Sequence, residues 1–532
     1  MLAQLAMDAS LAWADYAVIG GYLIFVIILG FWIGRKHEGA EDYFLAGRSM
    51  TWVFIGVSLF ASNISSTTLI GLAGDAYATG IGVFNYEWMA AVVLVFFAFF
   101  LLPFLLRSGV YTLPEFLGLR FGPFARRYFS ILTLFLNIIV DTAGSLYAGG
   151  IILQLVFPQV DLFWTVMALA IVAGVYTMVG GLAAVIYTDF VQTVFLVVGA
   201  IIITWAAYDK VGGWQGMTAG LPAERLSLIR PLSDKSMPWL GLLTGVPILG
   251  FYFWCTNQFM AQRALSAKTL NHGRGGLLLA GALKLPVLFI MVLPGTMAIH
   301  LYPKLSNADL VYPTLMFNLL PTGLLGLCLA GFIAALMSQI DSTLNSASTL
   351  VTMDFIRQAK PDLTPKQLMR VGKITTLVFM VLAALWAPEI QRFKSLFTYL
   401  QQVLAYTIPP VVVLFFAAIF SKRANRIGAM VCLTVGTLCG AVLFVLNVIV
   451  NDVQIHFLYV VPIGCLVSWI ALEIGNRFGT NSDSSQGDQI RWTPEFFKSE
   501  TIELRSMPWY RNYRIWSVLL LLATAILVIS FW

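Results

Sequence analysis

The sequence predicts an all-α membrane protein with about fourteen transmembrane helices. Hydrophobic residues make up 59% of the chain and charged residues only 11%, where a soluble domain carries about 25% charged residues. The charges gather in short stretches between apolar runs of about 18 residues or more, the signature of membrane-spanning helices. Several of those runs also carry polar clusters that lipid alone could not accommodate.

The apolar spans fall near 17–34, 50–78, 82–106, 126–157, 163–180, 185–207, 238–260, 276–301, 320–355, 371–391, 395–421, 427–450, 456–476 and 512–531. Residues 1–16 hold no Lys or Arg, and the next loop carries Arg35, Lys36 and Arg48. Continuing the alternation, Arg107/Arg120/Arg126/Arg127, Arg263/Lys268/Arg274, Arg357/Lys360/Lys366/Arg370/Lys373, Lys422/Arg423/Arg426 and segment 477–511 share one side. The positive-inside rule makes that side cytoplasmic and puts both termini outside a cell (inner) membrane. Loop 208–237 and the pair Arg392/Lys394 run against the rule.

The net charge of +6 is therefore read as topology, not nucleic-acid binding; phosphate loops, aromatic–basic repeats and zinc spacings are missing. Cys255, Cys328, Cys432, Cys439 and Cys465 are odd in number, lie in or beside apolar runs and form no metal-type pair, so no disulfide framework is expected. The four histidines are scattered. With no basic n-region or cleavage site, the first apolar run is expected to stay as a membrane helix. Thr480–Gly487 reads as a flexible linker. Trp492, Phe496, Phe497, Trp509 and Tyr510 suggest a stretch lying on the membrane interface. No nucleophile–base set, channel filter or appended signalling domain is visible, which argues against an enzyme, a channel and a sensor.

Three polar clusters interrupt the spans. Ser62, Asn63, Ser65, Ser66, Thr67 and Thr68 with Gly71 and Gly74 suggest a helix that breaks near mid-membrane; small-residue helix packing is the plainer reading. Pro247 and Gly250, followed by Phe251–Gln258, suggest a second break with an aromatic lining, or else an ordinary kink. Leaving out the first span, these breaks open two successive five-helix blocks, the pattern of an inverted-repeat transporter with a midplane site. In the third, Ser338, Asp341, Ser342 and Asn345 share one helical face, offering oxygen ligands to a hard cation or a polar seam between helices. Glu87, Asp189 and Lys284 are isolated intramembrane charges, each needing a partner or a wet cavity.

Glu41–Arg48, Tyr111–Phe116, Gly180–Val185 and Asn345–Asp354 resemble the sodium:solute symporter family, on its galactose, glucose and inositol branches. The resemblance implies a LeuT-like core: one helix with its loop (1–49), a five-helix repeat (50–207), an external loop (208–237), an inverted five-helix repeat (238–421), two further helices (422–476), a linker (477–511) and a last helix (512–532). It implies sodium as the coupling ion and a small polar solute, a sugar or polyol, as cargo. Glu87, Lys284, Gln401 and Asn63 match the family's sugar-site residues. Thr68 stands where relatives have Gln or His, Gly250 where the galactose branch has Asn, and Phe253 where it has a closing Tyr. The family's sodium site maps to Ala61, Ile64, Ala335, Ser338 and Gln339, the last usually Ser or Thr. Asp189 matches an acid linked in some relatives to a second sodium. Asp341, with Ser342, could hold a second cation or a proton, or only brace the bundle. A sialic acid, amino acid or carboxylate solute, proton coupling and a non-transporting sensor stay open as alternatives; the oligomeric state is not readable.

Overall fold

The computed structural model describes residues 11–34, 40–305, 307–392, 396–450, 455–479 and 490–532. Arg35, Lys36, Lys394 and the linker Thr480–Gly487 lie outside them. The described residues form ten helices long and apolar enough to cross a membrane, or thirteen counting three bent pairs as single spans. The apolar helix Leu162–Ile171 is shorter. Many large apolar side chains face outward, with Trp13, Trp164, Trp205, Trp509 and Trp532 among them, as expected where lipid replaces water.

Most expected spans are found, but several have different shapes. The expected 163–180 and 185–207 share the helical range Leu162–Val211, kinked into two helices at Gly181, where φ is 60° and ψ −179°; only glycine adopts that conformation without strain. The expected 276–301 bends by 43° between Leu270–Lys284 and Leu288–Leu301, around Pro286. The expected 395–421 bends by 55° at Pro409. Proline removes an amide donor and crowds the preceding turn, which explains both bends.

The first predicted break is found. Helix Trp52–Asn63 ends at Ile64, Ser65 begins a new helix, Ser66–Thr79, and the two axes differ by 57°. The second lies further along than expected. Pro247 and Gly250 sit inside a continuous helix, Trp239–Phe251. A π-turn, Tyr252–Thr256, follows, and the backbone opens at Asn257 before Gln258–Leu265. Asn257 supplies the cap that a new helix needs, accepting from the Phe259 amide. Here capping chemistry, not proline, sets the break.

The polar helix Leu324–Leu350 is buried along almost its whole length. It packs most extensively on Leu162–Val211 and also on both halves of the broken helix. Close approach requires Gly331, where a Cβ would lie 2.7 Å from the Phe195 carbonyl oxygen. Its N-terminus is held by Asp15 of the first helix, whose carboxylate accepts the amides of Gly323 and Gly326 at 2.7 Å each.

Several charges expected in loops are used by the fold. In the 208–237 loop, Arg225 donates to the carbonyls of Tyr77 and Ala78, and Arg230 to that of Thr79 at 2.6 Å. These cations close the C-terminal end of Ser66–Thr79, where the helix dipole favours them. That explains one departure from the charge rule. At the other end the motif stretches interlock. Arg48 binds Glu41 and the Gly109 and Val110 carbonyls. Buried Asp354 accepts from Thr112, Ser130 and Arg126 at 2.7–3.1 Å.

The stretch expected to lie on the interface instead docks partly on protein. Phe496 of helix Pro494–Arg505 packs against Phe104 and Arg107, and Trp492, just before that helix, against Phe100 and Phe420; Trp509 and Tyr510 stay exposed. Glu500 pairs with Arg274 and Arg514 and accepts from Tyr513.

Two outcomes are expected. Asp15→Ala should lower stability by about 1–2 kcal/mol through lost capping bonds, read as a lower melting temperature in detergent. Burial alone would raise the pKa of Glu500, but Arg274, with bonds from Arg514 and Tyr513, outweighs it and holds the carboxyl below the usual glutamate range. Such a depressed group stabilises above its unfolded pKa of about 4.3 and loses that contribution as pH falls through the folded value. Amide-exchange protection in 494–505 should therefore hold at pH 5, weaken as pH falls through the unfolded value toward the depressed folded one, and already be weak at neutral pH in Glu500→Gln.

Candidate functional site

The break in Trp52–Thr79 follows from where its amides go. The Ser65 amide, which would bond the Ala61 carbonyl in a regular helix, bonds the Asn63 carbonyl at 2.9 Å. The Thr68 amide, the regular partner of the Ile64 carbonyl, bonds the Ser65 hydroxyl at 3.3 Å. The Thr68 hydroxyl donates to the Asn63 carbonyl at 2.7 Å. A local carbonyl and a hydroxyl thus replace the helix ladder and take the regular donors of the Ala61 and Ile64 carbonyls.

Beside the break lies a cavity lined by Asn63, Thr68, Glu87, Gly250, Phe253 and Gln401, together with Gln339 and Asp141. Six of the seven residues expected to meet solute are therefore together. The seventh, Lys284, is buried behind the wall. Its ammonium lies 2.5 Å from Glu87, between the rings of Trp254 and Phe60 at 5.4 and 5.7 Å. The Asn63 Oδ1 atom is buried without a hydrogen-bond partner among the described residues. A Cβ on Gly250 would sit 3.3 Å from the Val93 side chain, so a larger residue there needs that side chain to give by a few tenths of an ångström.

A second cluster lies one layer away. Asp189 accepts from Ser338 at 2.5 Å, from Ser58, and from Arg263 at 3.1 Å. Arg263 also donates to Ser58 and to Ser342, and Ser62 meets Ser342 at 3.1 Å. Ser338 and Ser342 thus share a face as expected. Arg263 does not lie in a loop: it is 1% exposed and sits between Asp189 and Ser342, where the sequence reading set a second cation. Its count as a topology charge was the reason it was missed. Asp341 is fully buried within electrostatic reach of Arg263 and Tyr22. Gln339 turns to the cavity. The backbone of Ala335 lies one turn before Gln339 on the same helix.

Asp141 was also missed. It lies on the π-turn Asn137–Thr142, and its signal was available: a lone carboxylate in an apolar span. Asn257, at the second break, hydrogen-bonds it.

Helices that open around a polar, charged cavity deep in an apolar bundle define a secondary transporter. Residues 43–436 match the model of the sodium:solute symporter family. The sodium/glucose cotransporter 4 of Danio rerio is 35% identical, over 93% of this chain and 83% of its own. The sodium/myo-inositol cotransporter 2 of Homo sapiens is 36% identical, over 90% and 78%. The outward-open, substrate-bound structure of a Na+-coupled sialic acid symporter matches with a TM-score of 0.78 at 24% identity, over 88% of this chain and 99% of that one. A nucleobase-cation-symport-1 family transporter in a closed conformation matches at 0.58 and 14%, over 85% and 99%. The chain belongs to the sodium:solute symporter family. It is a sodium-coupled secondary transporter of a small polar solute, not an enzyme, with an all-α fold related to the LeuT-fold transporters.

Removing one partner of a buried ion pair strands the other, at a cost of about 3–5 kcal/mol. Lys284→Met should therefore destabilise strongly, and adding Glu87→Gln to it should recover part of the loss. Thermal unfolding of the two single variants and the double in detergent reads this.

Proposed function

We propose that this protein takes up a sugar or polyol by alternating access, driven by sodium entering across a cell membrane. Its two inverted five-helix repeats lie within 50–207 and 238–421, among fourteen crossings, with the basic end cytoplasmic and both termini outside. The observation that carries the solute class is the cavity wall: Glu87 backed by Lys284, the amides of Asn63, Gln339 and Gln401, and the ring of Phe253. A charged pair and amides give directional bonds to several hydroxyls. An aromatic face suits the C–H side of a ring. The curated relatives named for glucose and myo-inositol support the same class.

Sodium binds between the broken helix and the polar helix, at the carbonyls of Ala61, Ile64 and Ala335 and the side-chain oxygens of Ser338 and Gln339. Hard cations take such oxygen ligands. Asp189 accepts the Ser338 proton, which leaves that hydroxyl's lone pairs for the ion. Asp189 and Ser342, joined by Arg263, brace this wall, and Asp341 adds negative charge behind it. One charge crossing 100 mV supplies about 2.3 kcal/mol, enough for accumulation of several tens-fold at about 1.4 kcal/mol per tenfold.

Proteoliposomes test this. An inward sodium gradient should drive concentrative uptake of labelled myo-inositol or glucose, and potassium should not replace it. Ser338→Ala should raise the half-saturating sodium concentration about tenfold, for one lost ligand of roughly 1–2 kcal/mol. Uptake of equal rate without sodium would overturn the reading.

A further inference from the structure

The cavity walls do not balance their own charge. The lining holds two carboxylates, Glu87 and Asp141, and no lysine or arginine. Glu87 is matched from behind by Lys284 at 2.5 Å. Asp141 has only a neutral side chain, Asn257, as its hydrogen-bonding neighbour. Among the described residues no cationic side chain lies within ion-pair distance of it. A carboxylate held away from bulk water without a cation is costly. Facing a cavity, it can take that cation from whatever fills the cavity.

The remaining lining fits a cation that also carries hydroxyls. The Asn63 Oδ1 atom, buried and unpartnered, accepts either O–H or N–H. Phe253, Trp254 and Tyr86 all line the cavity, and aromatic faces attract ammonium groups. A carboxylate-bearing solute would face two acids with one of them unmatched, and like charges in low dielectric repel strongly.

We propose that the solute is an aminated polyol, an amino sugar or aminocyclitol, whose ammonium sits against Asp141 while its hydroxyls meet the Glu87–Lys284 pair and the amides. This rests on the polyol reading of the site and narrows it. Unlike Glu87, Asp141 then selects among polyols rather than recognising polyols in general.

Binding to the full-length protein in saturating sodium tests the proposal, with two pairs of probes: glucosamine against glucose, and an amino-inositol against myo-inositol. The amine should bind about tenfold tighter than its parent in at least one pair, and Asp141→Asn should bring that ratio to about one. A ratio near one in the unaltered protein overturns the proposal while leaving the polyol site standing, and needs no variant. A preference that survives Asp141→Asn unchanged also overturns it. Absence of sodium-dependent binding by all four probes overturns the polyol reading and this inference together.

Discussion

The centre of the molecule depends on the amide of Ser65 bonding the Asn63 carbonyl rather than that of Ala61. A regular helix through 52–79 would satisfy its own backbone and present only side chains to its neighbours. By turning two donors onto local acceptors, the Ser-Ser-Thr-Thr stretch diverts the regular partners of two carbonyls at mid-span without leaving the amides bare. Hydrocarbon tolerates such irregular backbone only where protein or a wet cavity surrounds it. The polar helix Leu324–Leu350 on one side and the cavity on the other meet that condition.

The same constraint organises the charges. Arg263, Lys284, Arg274 and Arg126 are each matched by a carboxylate, and those carboxylates are further held by hydroxyls, a tyrosine or a second arginine in all but the Glu87 pair. The Asp189 cluster ties four segments together through Ser58, Ser338, Arg263 and Ser342. Such networks are stable only when fully satisfied, so this one resists the separation of its helices as a unit. The family motifs near Arg48, Thr112 and Asp354 form a comparable knot at the basic end.

Much of this was legible in the sequence, for physical reasons. Apolar length fixed the spans, and hydroxyls concentrated in one span marked the first break. What escaped depended on register and on context. Asn257 ends a helix by accepting a neighbouring amide, a role open to any asparagine, whereas Pro247 is conspicuous but fits inside a helix. Arg263 sits next to a basic loop in sequence, yet a helix that restarts at Gln258 carries it back among acids. Asp141 lies on a π-turn, whose extra residue rotates the following face, so helical spacing could not show that it points to the cavity.

The proposed ion and solute sites share residues that are chain neighbours. Ile64 follows Asn63, and Gln339 follows Ser338; Ile64 and Ser338 belong to the sodium site, Asn63 to the cavity wall, and Gln339 to both. Asn63 and Ile64 sit at the break, the one place in that helix where backbone torsion can change without breaking a hydrogen-bond ladder. Ser338 and Gln339 sit on an unbroken, fully packed helix that can move only as a body. An ion drawing the broken helix toward the polar helix therefore repositions Asn63 against the fixed Gln339. A solute that prefers that arrangement returns the same free energy to the ion, because such coupling is reciprocal. The stiffness of one helix and the local freedom of the other, set by which amides each keeps, are together what this coupling requires.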